Sequence, residues 1–257
     1  MKHALHILLL VALGFASCST PPAPIGSSLK ARSATGAASQ VARKPRVLAT
    51  LADTGFKEER PSGSGSLLAS GGTGDGSTFA GNDRKAAKIS IANAPTEQYD
   101  LRQLIQELGS TESTMLNYSP PISKAAYSGR VPEERRNVVV EGYIHFVKAE
   151  SDNDYHVIFG SDRDVDTSLF LNVEISGLPS SSSSSFSKMN TVRSAFEAMY
   201  ASQLSGGKYT WFEPIKVRIT GSLFFDIDHS AGVVGPTNYR PKTAWEIHPV
   251  SKIEFLE

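Results

Sequence analysis

The stretch Pro214–Asp228 constrains this chain more than any other. Ile215, Val217, Ile219, Leu223, Phe225 and Ile227 share one parity. Lys216, Arg218, Thr220, Ser222, Asp226 and Asp228 share the other, with Phe224 the exception. A period of two marks a strand with one apolar face, because successive side chains leave opposite sides of the backbone. The run exceeds the usual strand of about five or six residues, and Gly221 lies at its middle on the apolar parity. A strand glycine permits a sharp bend or a close backbone approach, as at the corner of a small barrel.

Four further segments alternate in the same way. Val138, Val140, Ile144 and Phe146 share a face, with Gly142 midway. Tyr155, Val157 and Phe159 point one way and His156 the other. Leu169, Leu171, Val173 and Ile175 oppose Glu174, and Trp245, Ile247, Ile253 and Phe255 oppose Glu246 and His248. Between the third and fourth segments, Val192, Phe196, Met199 and Tyr200 recur at helical spacing within Asn190–Leu204. Strand, strand, strand, helix, strand, strand is the order of an OB-fold barrel. Residues 137–257 are therefore expected to be mainly β, a small five-stranded OB-like barrel with one helix between strands 3 and 4. A small open β-sandwich is the alternative.

The other half of the chain reads differently. Apolar residues make up 40% of the whole, below the usual 45–50% or so, so part of the length lies outside any core. From Ser19 to about Ala94 apolar periodicity is almost absent, and runs such as Gly63-Ser-Gly-Ser66 and Gly71-Gly-Thr-Gly-Asp-Gly76 recur. Such a composition cannot bury enough surface to offset its ordering entropy and behaves as a flexible tether. Arg43–Leu51 within it reads as a solvated basic run. Leu101, Leu104, Ile105 and Leu108 then mark a short helix, with Asp100 at its N-terminus and Gly109 as its expected stop. Residues 110–136, rich in proline, read as an irregular arm.

At the N-terminus Lys2 and His3 precede an apolar run from Ala4 to Ala16, of signal-peptide length and too short to span a bilayer. Phe15-Ala-Ser-Cys18 follows, and it resembles a bacterial lipobox at Ala16, Ser17 and Cys18, departing from the pattern at Phe15. The resemblance implies lipidation of Cys18 with more than one acyl chain, enough for stable anchoring. Ser19 resembles the residue that sorts such proteins to the outer membrane. Cleavage after Ala16, leaving a free thiol, is the other reading. The expected organisation is a signal peptide at 1–17, a lipid-anchored disordered tether at 18–94, a short helix and arm at 95–136, and the OB-like domain at 137–257.

Cys18 is the one cysteine, which excludes an intramolecular disulfide and a thiolate cluster. Residues 137–257 hold 10 Lys and Arg against 15 Asp and Glu. That acidic balance argues against a nucleic-acid partner, which needs a basic groove. The polar parity collects His156, Glu174, Asp226, Glu246 and His248, with His229 just beyond its strand. This is a candidate ligand set for zinc or another divalent ion on a solvated outer face. Phe170, Tyr239 and Arg240 are the candidate ligand contacts. Asp152-Asn-Asp-Tyr-His156, Phe224-Phe-Asp-Ile-Asp-His229 and Trp245-Glu-Ile-His-Pro249 resemble the D-x-D-x-H, F-F-D-x-x-H and E-x-H-P segments of small exported bacterial proteins, a resemblance that implies no reaction. No Gly-x-Ser-x-Gly segment is present. The expected function is a non-catalytic, lipid-anchored envelope protein presenting an OB-like module to a protein or glycan partner. A metal-dependent hydrolase built on the outer-face histidines and carboxylates is the alternative.

Overall fold

The computed structural model describes residues 43–51, 75–229 and 234–256. Cys18, the signal segment and most of the expected tether lie outside the described residues. The chain is mainly β. Its strands are β1 (Val47–Leu51), β2 (Thr96–Gln98), β3 (Asn137–Ala149), β4 (Tyr155–Gly160), β5 (Phe170–Ile175), β6 (Tyr209–Phe225) and β7 (Trp245–Phe255). Helices α1 (Lys85–Lys88), α2 (Leu101–Leu116) and α3 (Phe186–Tyr200) lie between them in sequence.

All seven strands belong to one mixed sheet, in the order β1-β6-β7-β5-β4-β3-β2, and β6 also pairs with β3. That second pairing closes β3, β4, β5, β7 and β6 into a ring of five strands. β5 and β7 run parallel, as do β2 and β3, while the other pairs are antiparallel. The basic run at Arg43–Leu51, expected to be solvated, contributes β1, which pairs with the start of β6.

The apolar parity forms the main core. Val138, Val140, Val157, Phe159, Leu171, Val173, Val217, Ile219, Leu223 and Ile247 are buried together with residues of α2 and α3. Gly221 shows why no larger residue fits there. A Cβ would lie 2.5 Å from Ile247 Cγ2 and 2.6 Å from the Pro249 carbonyl, and the β6–β7 register shifts at this residue.

Asp100 caps α2, its carboxylate accepting from Gln103 N at 3.0 Å. The helix does not stop at Gly109 but continues to Leu116. Tertiary contacts override the glycine. Met115 is buried, Glu112 accepts from Ala244 N at 3.0 Å, and Thr111 Oγ1 accepts from Trp245 Nε1 at 3.0 Å. These bonds tie the second half of the helix to the start of β7.

The largest departure from expectation concerns residues 75–94, the end of the expected tether. They form a strap folded onto the β domain. Thr78 N donates to Leu178 O, Ala80 N to Asp152 O and Ala92 N to Ser222 Oγ, each at 2.8–2.9 Å. Arg84 and Glu134 make a fully buried bidentate pair at 2.7 and 2.6 Å, and Glu134 also accepts from Phe225 N at 2.9 Å. Arg84 holds a left-handed backbone, φ 52, a conformation that persists in a non-glycine residue when its surroundings fix it. Arg130, from the arm, donates to the carbonyls of Ala87, Ser90, Leu223 and His248. The strap is thus fastened by charged groups that have no water to turn to.

Candidate metal centre

The strap changes what the polar parity of the ring means. Glu174, Glu246 and His248, expected on a solvated outer face, are buried, and His156 is half-buried. Glu174, Glu246 and His248 are 1%, 2% and 0% exposed, and Asp226 is 3% exposed. β5 is buried at every position and β7 over its first six.

The register brings these side chains together. His156 on β4 lies opposite Glu174 on β5, Asn172 on β5 opposite Glu246 on β7, and Glu246 opposite Phe224 on β6. Alternation puts Asn172 beside Glu174 and Glu246 beside His248 on the same side. Asn172 Nδ2 donates to Glu174 Oε1 at 2.9 Å and to Glu246 Oε1 at 3.0 Å, pinning two carboxylates side by side.

Two groups of three potential ligands result. In Asp154, Glu174 and His248, and in Asp226, His229 and Glu246, one ligand atom from each residue lies within 4.8 Å of the others. Five of the six residues expected from the sequence enter these groups. His156 does not, because its ring sits between Glu174 Oε1 (2.9 Å) and Glu150 Oε1 (3.2 Å) as an ion-pair partner. Asp154 was missed, although it stands two residues before His156 in the Asp152–His156 phrase and so shares its parity. Its Oδ1 accepts from Gly177 N at 2.5 Å. Lys88 was missed for a different reason. It comes from the strap, whose sequence carries no periodicity.

Several buried atoms here make no hydrogen bond: Asp154 Oδ2, Glu174 Oε2, Glu246 Oε2, Asn172 Oδ1 and both ring nitrogens of His248. They are close to one another all the same. His248 Nδ1 lies 3.2 Å from Glu174 Oε2 and 3.5 Å from Glu246 Oε2, and His248 Nε2 lies 3.5 Å from Asp154 Oδ2. A buried polar atom without a partner costs about 1–3 kcal/mol, and native structures leave few of them. Convergence of five of these six atoms, all on carboxylates or an imidazole, is the pattern a bound cation resolves.

The electrostatics agree. Burial pushes the Asp154 carboxyl well above its ordinary range, with Asp152 and Glu174 adding repulsion. Burial does the same to Glu246, helped by Glu174 and Asp226. For Glu174 burial acts upward too, but His156 and His248 outweigh it and hold the carboxyl well below its usual range. Burial alone would depress His156, yet Glu174 and Glu150 raise it well above an ordinary imidazole. Burial lowers His248 to about 3, so its ring is neutral, the state that ligates metal. Burial opposes charge on Lys88, but Asp226, Glu174, Asp152 and Glu246 together raise its pKa, so its ammonium keeps its proton.

The candidate ligand contacts assemble elsewhere and are not an open platform. Phe170 is buried, Tyr239 stacks on Phe146 at 4.9 Å and meets Phe170 edge-on at 6.1 Å, and both pack in a second apolar cluster. Arg240 Nε donates to Gly235 O at 3.0 Å. These residues fold their loop back onto the strands, and residues 230–233 of that loop lie outside the described residues.

A cavity of about 10 Å³ borders the second group, lined by Asn172, His229, Val234, Pro241, Thr243, Ala244 and Glu246. It is room for one water-sized species. Among the described residues no helix is long and apolar enough to cross a membrane. Comparison with protein-family models, with curated proteins and with solved structures returns no match.

Proposed function

We propose that this chain is an exported, lipid-anchored envelope protein whose C-terminal domain is an OB-like module that binds a divalent cation of the zinc or manganese class. The observation that carries the metal reading is the convergence of unsatisfied ligand atoms from Asp154, Glu174 and His248. Two carboxylates and a neutral imidazole form a borderline donor set, suited to first-row divalent ions more than to calcium or magnesium. The ring order β3-β4-β5-β7-β6, with β5 and β7 parallel, supports the OB-like assignment.

The cation acts in this reading as a structural ligand that completes the domain, which is then presented to a protein or glycan partner. Anchoring rests on Cys18 and places the domain at the outer membrane, facing the periplasm.

The test uses the full-length chain in detergent, stripped with chelator and titrated with Mn²⁺ or Zn²⁺ by calorimetry. Saturable binding with a rise in melting temperature is expected, since a ligand at one hundred times its Kd adds about 2.7 kcal/mol. H248A and E174Q should abolish binding at this position. A flat titration of the wild type overturns the metal reading. Incorporation of labelled palmitate, lost in C18A, tests the anchor independently.

A further inference from the structure

We infer that the cluster holds two cations bridged by Glu246, and that the second position, Asp226–His229–Glu246, is the exchangeable one. This rests on the cation reading of Asp154, Glu174 and His248 given above and extends it.

Glu246 belongs to the second group and reaches the first through His248. Its Oε1 is held by Asn172 Nδ2, the amide that also holds Glu174, while its Oε2 makes no hydrogen bond and points to within 3.5 Å of His248 Nδ1. A carboxylate fixed at one oxygen and unsatisfied at the other, between two sets of ligands, is placed to bridge. Ions in paired sites stand about 3.5–4 Å apart. On the far side, Asp226 Oδ2 lies 2.5 Å from His229 Nδ1 and Asp226 Oδ1 accepts from Asp228 N at 2.9 Å. A carboxylate that fixes the orientation of an imidazole is the support that metal-ligating histidines usually have.

Access separates the two positions. Asp154, Glu174 and His248 are sealed, whereas the side chain of His229 is 18% exposed and the water-sized cavity touches both His229 and Glu246. Asn172 Oδ1, buried and without a hydrogen bond, borders the same cavity. A cation entering there meets the second group first.

The experiment loads the chelator-stripped full chain in detergent with Mn²⁺. It reads ions per chain by equilibrium dialysis and elemental analysis, and coupling between ions by electron paramagnetic resonance. Two ions in the wild type, an exchange-coupled signal and one ion in H229A are the expected results. One ion in the wild type overturns the second position and leaves the first standing, while no ion overturns both. Two ions in the wild type that persist in H229A, or two ions without coupling, overturn the assignment of the pair to these residues and this bridge. The wild-type stoichiometry decides the matter even if a variant fails to fold.

Discussion

The two sides of β5 and β7 are buried equally well and for opposite reasons. Leu171, Val173, Ile175 and Ile247 leave water because apolar surface gains from doing so. Asn172, Glu174, Glu246 and His248, one residue along on the same strands, leave water at a cost that must be offset. On the apolar side any close-packed neighbour will serve. On the polar side each group needs a partner of the right charge in the right place. The strap supplies Lys88, β4 supplies His156, and the remaining unsatisfied atoms face one another. Burial alone therefore says nothing about purpose, and the kind of compensation a buried face requires does.

That contrast can be broken most severely at its fastening. R84A should cost about 3–5 kcal/mol, because it leaves Glu134 charged, buried and unpaired. Urea denaturation checks this, and limited proteolysis should find the strap opened at residues 75–94. R84M/E134M, which removes both charges, should cost clearly less than R84A. On the apolar side, I247A should cost about 2–5 kcal/mol through the cavity it leaves. Its penalty should be the same with and without divalent ion, whereas E246Q should be costly only when the ion is present. Equal ion dependence for both would erase the distinction between the faces.

Acid sharpens it further. The folded pKa of His248, about 3, lies below its ordinary 6.5, so the folded protein keeps the ring neutral where the unfolded chain would protonate it. Its contribution to stability is complete above pH 6.5 and is lost as pH falls from there towards 3. Within that window the metal-free chain should lose up to about 1.4 kcal/mol per pH unit from this one group. Unfolding curves from pH 7 to 4 should show a slope that flattens in H248Q. The smallest effect lies away from both faces. D100A removes the cap of α2 and should cost about 1 kcal/mol, independent of ion.

Much of the candidate metal centre was legible in advance. Glu174, Glu246, His248 and Asp226 were identifiable as a shared polar face because strand alternation is local, and His229 as an imidazole just beyond its strand. Asp154 followed the same parity as His156 and lay within reach of the same reasoning. Lys88 and Arg84 did not. Arg84 finds Glu134 50 residues away, and Ala92 finds Ser222 130 residues away, through single contacts that leave no pattern in the sequence. The extension of α2 past Gly109 escaped for the same reason, since Glu112 is held by Ala244 from the far end of the chain.

The amino-acid sequence by itself determined which side chains share a strand face, where α2 begins and that the lone cysteine follows an apolar run. These are consequences of backbone geometry and composition over a few residues. Only the tertiary structure decided whether the polar face meets water. A strap without periodicity covers it, held by individual ion pairs and carbonyl bonds whose partners are distant in the chain, and such contacts exist only once the ring has formed.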